Sequence, residues 1–132
     1  MIYLESSIVI DLIGVSGTRG ESTRARIAAD DFDSQLVTSP LVDLECMVRP
    51  LRARNYAGAS ATRDLLRRFR QIEISKRCYE LATHIRADYG LGVPDALHIA
   101  TASLGGCDEL WSFDDGLLRA APGFVVNPLI SS

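Results

Sequence analysis

The chain is short of the residues that build redox and zinc chemistry. Its three cysteines, Cys46, Cys78 and Cys107, include no CxxC pair, and an odd number without a framework reads as reduced thiols. There are only two histidines, His84 and His98. A Cys/His zinc site would have to gather ligands from the whole chain, so it is set aside. No stretch reaches the roughly 20 apolar residues that a membrane span needs. The opening MIYLESSIVIDLI lacks a basic start and carries Glu5 and Asp11 inside its apolar run, which is unlike a signal peptide. A soluble, cytoplasmic protein with no membrane partner is expected. Repeats, low-complexity tracts and a linker long enough to separate two domains are also missing. Lysine is nearly so, with Lys76 alone against 13 arginines.

What remains is an ordinary globular composition. Of 132 residues, 47% are hydrophobic and 23% charged, enough for one core and too little for two. A single domain over 1–132 is expected. The net charge of -3 argues against a polyanion partner on average, but the arginines are not evenly spread. Arg49, Arg52, Arg54, Arg63, Arg67, Arg68 and Arg70 face one acid, Asp64, between Cys46 and Ile72. A local positive region of that kind suits a polyanion even on an acidic protein. Without a ligand, it reads as a solvated helix surface.

Local patterning alternates short strands with helices. Strands are predicted over 1–4, 35–38, 71–74, 110–113 and 124–126. Helices are predicted over 6–12, 21–33, 57–70, 75–89, 93–104 and 114–120, with a further one launched by Ser39-Pro40. There Ser39 would be the cap and Pro40 the first helical residue, and Pro50 would interrupt or kink the helix. Ser6 or Ser7 is the expected cap of the first helix. GVSGTRG, residues 14–20, reads as a loop. This alternation implies a three-layer α/β/α sandwich around a mostly parallel sheet.

Parallel sheets bind ligands at the carboxyl ends of their strands, and acids fall there. Glu5 follows the first strand, Asp114 and Asp115 follow the fourth, and Asp95 opens a helix after a Gly/Pro loop. Glu45 is flanked by Leu44, Cys46, Met47 and Val48. Each has an ordinary explanation: Asp95 suits a helix dipole, Asp114 a cap, Glu45 a pair with Arg49. As one patch, however, four carboxylates require a counter-charge. Hard oxygen ligands suit Mg²⁺ or Mn²⁺, the chemistry of metal-dependent nucleases.

These segments resemble a known family. MIYLESS (1–7), TSPLVDLE (38–45), VPDALHIATA (93–102) and LWSFDD (110–115) are similar, in order and spacing, to the acid-bearing segments of PIN-domain ribonucleases, in particular VapC toxins of toxin–antitoxin pairs. The resemblance covers essentially the whole chain and is most specific in the last two segments. It implies an Mg²⁺- or Mn²⁺-dependent endoribonuclease that hydrolyses RNA with a metal-activated water, leaving 5′-phosphate and 3′-hydroxyl ends. It also implies a homodimer and inhibition by a VapB-type antitoxin. Carried over by position, Glu5, Glu45, Asp95 and Asp114 are the catalytic acids. Glu5, Asp95 and Asp114 would hold the metal, with Asp115 as an extra ligand. Ser7 and Ser112 would steady the carboxylates, and His98 takes a packing or hydrogen-bonding role. Arg49, Arg52, Arg67 and Arg68 are assigned to the RNA backbone. The antitoxin is expected to place an arginine among the acids and a helix in the apolar groove near residues 44–66.

One departure stands out. The family's first acid is normally Asp, and Glu5 is a methylene longer, enough to shift a carboxylate by about 1.5 Å. The alternative reading is therefore a PIN-like RNA- or protein-binding module with a weakened or inactive site. A phospho-acceptor receiver domain is a third reading. It would want a lysine at a strand end, whereas Lys76 begins a helix.

Overall fold

The computed structural model of the chain describes residues 1–14, 17–29 and 35–130. In chain order the elements are β1 (Ile2–Leu4), α1 (Ser6–Ile13), α2 (Thr18–Ala29), β2 (Leu36–Thr38), α3 (Pro40–Arg52) and α4 (Tyr56–Leu66). They continue with β3 (Arg70–Gln71), α5 (Lys76–Tyr89), α6 (Val93–Leu104), β4 (Glu109–Trp111), α7 (Asp115–Ala120) and β5 (Val125–Val126).

The strands form one sheet in the order β3-β2-β1-β4-β5, with every pairing parallel. Tyr3 of β1 pairs with Val37 of β2 and with Leu110 of β4, so β1 is central. The chain moves outward from β1 to β3 and then returns past β1 to β4. Right-handed crossovers running in opposite directions leave their helices on opposite faces. That puts α1 to α4 on one side and α5 and α6 on the other, the expected α/β/α sandwich. The order reverses between β1 and β4, and a crevice opens at such a switch beyond the strands' carboxyl ends.

The core follows the alternating apolar pattern. Tyr3, Leu4, Ile8, Val9, Val42, Leu110, Trp111 and Leu117 are all buried, each large aliphatic contributing about 1.5–3 kcal/mol. A second cluster of Cys78, Ala82, Ala96, Leu97 and Ala100 joins α5 to α6. Small side chains there let the two helices lie close. All three cysteines are buried and free.

Several local expectations are corrected. Residues 18–20 of the anticipated loop are the first turn of α2; Val15 and Ser16 of that loop lie outside the described residues. Gly20 is there for packing, since a Cβ on it would sit 2.3 Å from the Asp11 carbonyl oxygen of α1. The helix expected to reach 33 is described to Ala29, and residues 30–33 lie outside the described residues. Pro50 does not stop α3, which runs on to Arg52; in the last turn it forfeits a single helical N–H. α4 ends at Leu66 rather than 70, and β3 is Arg70–Gln71 rather than 71–74. β4 is Glu109–Trp111 rather than 110–113, and Ser112 and Phe113 follow it.

The caps differ too. α1 is capped by Glu5, whose carboxylate accepts from the Ser7 N–H. Ser39 occupies the α3 cap position but makes no side-chain cap bond, forgoing an interaction worth about 1 kcal/mol.

Candidate active site

Every acid singled out in the sequence sits near the carboxyl edge of β1 and β4. Glu5 immediately follows β1 and is 8% exposed. Its Oε1 accepts from Ser112 Oγ at 2.6 Å and from Ser7 Oγ at 2.7 Å, and its Oε2 accepts from the Ser7 N–H at 3.2 Å. The two hydroxyls are themselves oriented: Ser7 Oγ accepts from the Phe113 N–H at 3.1 Å and Ser112 Oγ from the Asp114 N–H at 3.0 Å. A buried carboxylate needs such donors, because its desolvation is otherwise uncompensated.

Glu45 comes from α3. Its Oε1 accepts from Ser6 Oγ at 2.6 Å and lies 2.6 Å from His98 Nε2 of α6. Burial pushes the Glu45 carboxyl up, but the hydrogen bonds from His98 and Ser6 and the His98 charge outweigh it and hold the group below its usual value. An ionised carboxylate only accepts, so His98 Nε2 carries the proton. The pairing with Arg49 that helix spacing suggested is replaced by these contacts.

Asp95 is in the first turn of α6 and half-buried. Burial raises its pKa, and so do the charges of Asp114, Glu5 and Glu45, with His98 opposing. That mutual repulsion makes the four acids one electrostatic patch. Asp114 caps α7, with Oδ1 accepting from the Leu117 N–H at 3.0 Å. Asp115, the first residue of α7, is exposed, and no hydrogen bond among the described residues ties it to the other acids.

Among the described residues one group of possible metal donors is tightly convergent: Glu5, Glu45 and His98, with their ligand atoms within 4.8 Å of one another. This differs from the expected set of Glu5, Asp95, Asp114 and Asp115, of which it contains only Glu5. Two carboxylates beside a third that is repelled by its neighbours suit a hard divalent cation. Burial raises the Cys46 thiol to about 12, with Glu45 and Glu5 adding to the effect, so this neighbour is not a thiolate ligand at neutral pH.

The arginines divide. Arg49 and Arg52 line a depression of about 700 Å³ that also includes Glu45, Ile10 and Ile13. Arg67 borders a second depression with Asp43 and Phe69, and Arg68 a third with Leu12 and Arg24. Three residues of this network were not singled out as site residues: Ser6, which donates to Glu45, and Tyr3 and Ser39, whose hydroxyls lie behind His98. A buried tyrosine hydroxyl on β1 must find a partner, and that was the available signal for Tyr3.

No helix among the described residues is long and apolar enough to cross a membrane. None of the curated proteins matches the sequence. Solved structures do. A toxin–antitoxin complex from Klebsiella pneumoniae is similar at 30% identity and a TM-score of 0.77, over 97% of this chain and 98% of that one. A sarcin–ricin-loop-cleaving VapC toxin of Mycobacterium tuberculosis is 18% identical with a TM-score of 0.75, over 92% and 95% of the two chains. VapBC2 of Rickettsia felis, bound to a promoter DNA fragment, is 17% identical with a TM-score of 0.75, over 95% and 96%. The resemblance to VapC toxins read from the acid-bearing segments thus holds across the fold. The PIN domain family matches residues 2–122, and this chain belongs to it.

Proposed function

We propose that the protein is a metal-dependent endoribonuclease acting as the toxin of a toxin–antitoxin pair. The observation that carries this reading is the convergence of Glu5 and Glu45, with Asp95 and Asp114 repelling one another beside them, at the sheet's switch point. Glu5, Glu45, Asp95 and Asp114 would hold Mg²⁺ or Mn²⁺, with Asp115 reaching it through water. When bound, the cation supplies the positive charge that activates water and offsets charge developing on the scissile phosphate. Ser7 and Ser112 keep Glu5 in one orientation, and Ser6 and His98 do the same for Glu45. Arg49 and Arg52, in the depression shared with Glu45, bind the RNA backbone. Arg67 and Arg68 extend that contact farther from the acids.

The Klebsiella relative is a toxin–antitoxin complex and the Mycobacterium one cleaves the sarcin–ricin loop. These support RNA as substrate and a VapB-type antitoxin as partner, and the same reading includes a homodimer. Cleavage of a mixed RNA pool that requires Mg²⁺ or Mn²⁺, stops with EDTA and is lost in Asp95→Asn is the expected result. A pool left intact with either metal would refute the nuclease reading.

One observation favours a second reading. Both Glu5 oxygens are already engaged, Oε1 by two hydroxyls and Oε2 by a backbone N–H. A site closed in this way would leave a PIN-like binding module. RNA retained on the protein without cleavage would mark it.

A further inference from the structure

Behind the carboxylates, His98 continues into two buried hydroxyls that the proposed hydrolysis leaves without a role, those of Tyr3 and Ser39. Tyr3, Ser39 and His98 are each 0% exposed. The Tyr3 hydroxyl lies 2.7 Å from Ser39 Oγ and 2.7 Å from His98 Nδ1. Across the imidazole, Nε2 lies 2.6 Å from Glu45 Oε1. Ser39 has the cap position of α3 yet makes no cap bond; its hydroxyl is turned to Tyr3 instead.

The Glu45 carboxylate accepts, so His98 Nε2–H donates to it. The Tyr3 hydroxyl meets the ring at Nδ1, and Ser39 Oγ meets the Tyr3 hydroxyl from the other side.

We propose that Tyr3, backed by Ser39, is a positioning residue that holds the His98 ring at Nδ1, so that Nε2 stays on Glu45 Oε1 and Oε2 is left to a divalent cation. This rests on the reading of the acidic patch as a cation site. It assigns His98 as a hydrogen-bond donor to Glu45 rather than a ligand, although its nitrogen falls within the convergent donor group. Outer partners of this kind orient ligands, and their loss typically weakens metal binding by about 10- to 100-fold.

The test uses the full chain, Mn²⁺ as the probe and two readouts. ¹⁵N NMR of the histidine ring reports which nitrogen is protonated, and calorimetry or electron paramagnetic resonance reports Mn²⁺ affinity. The unaltered chain should show a proton on His98 Nε2, hydrogen-bonded to the Glu45 carboxylate. Tyr3→Phe should weaken that bond and bind Mn²⁺ about tenfold more weakly, and Ser39→Ala should shift both in the same direction by less. Thr38→Val is the control, because Thr38 Oγ1 is buried without a hydrogen-bond partner; its Mn²⁺ affinity should be unchanged. If Tyr3→Phe fails to fold, Ser39→Ala carries the comparison. A His98 without a proton on Nε2 in the unaltered chain would overturn the proposal, as would unchanged Mn²⁺ affinity in the folded variants. An unaltered chain that binds no Mn²⁺ would refute the cation site itself, and this inference with it.

Discussion

Removing the Ser112 hydroxyl should destabilise the protein far more than its size suggests. Ser112 is fully buried. Its Oγ donates to Glu5 Oε1 at 2.6 Å and accepts from the Asp114 N–H at 3.0 Å. A hydrogen bond to a charged group contributes about 1.5–3 kcal/mol and a neutral one about 1 kcal/mol. Ser7 still donates to the same oxygen, so part of the loss is absorbed. Ser112→Ala is therefore expected to cost about 2–3 kcal/mol, or about 8–12 °C in Tm for a chain of this length. Ser7 is only half-buried, and water can replace its hydroxyl, so Ser7→Ala should cost about 1 kcal/mol. The double variant leaves Oε1 without either donor and should exceed the sum of the two by about 1 kcal/mol. Urea and thermal unfolding of the four proteins measure this cycle. A Ser112→Ala loss below about 0.5 kcal/mol, the level of an ordinary surface change, would refute the claim that these hydroxyls stabilise Glu5.

Asp95 and Glu45 should respond to pH in opposite senses. Asp95 is raised above 3.8, first by burial and then by Asp114 and Glu5, so its ionisation costs native stability as pH rises; Asp95→Asn should be more stable than the parent at pH 7, with the gain vanishing below its usual range. Glu45 is held below 4.5, so the penalty of Glu45→Gln should be full at pH 7 and shrink as the pH falls through the lowered native value; unfolding at pH 3 to 7 checks both, and parallel trends would contradict the assignment. Gly20→Ala should cost about 1–3 kcal/mol, because its Cβ meets the Asp11 carbonyl; an unchanged melting curve would show that α1 and α2 separate freely. In RNA binding, Arg49→Ala with Arg52→Ala should reduce the slope of affinity against salt by about 0.7 per lost phosphate contact and weaken binding more than Arg67→Ala with Arg68→Ala does, measured by fluorescence anisotropy; equal losses would move the RNA path away from the Glu45 depression.

Local patterning was enough to read the layer architecture and the edge of the sheet on which the acids fall. Strand and helix periods are local properties, and Ser39-Pro40 or the Gly90 and Gly92 breaks are read within a few residues. A parallel sheet then has its carboxyl ends wherever its strands end, so Glu5 after β1 and Asp114 after β4 fall on one edge of the sheet, and the pairing of β1 with β4 makes them neighbours. Which polar atoms meet follows from contacts between segments far apart in the chain. Ser39 looks like a cap from its neighbours, but the nearest hydroxyl is that of Tyr3, 36 residues away. His98 reaches Glu45 across 53 residues of chain, and Ser112 reaches Glu5 across 107. Gly20 seemed to mark a loop because local propensity cannot register the carbonyl of Asp11 against which α2 packs. Propensity acts over one turn of chain, whereas hydrogen bonds and packing act over a few ångströms of space, and only folding makes those two neighbourhoods coincide.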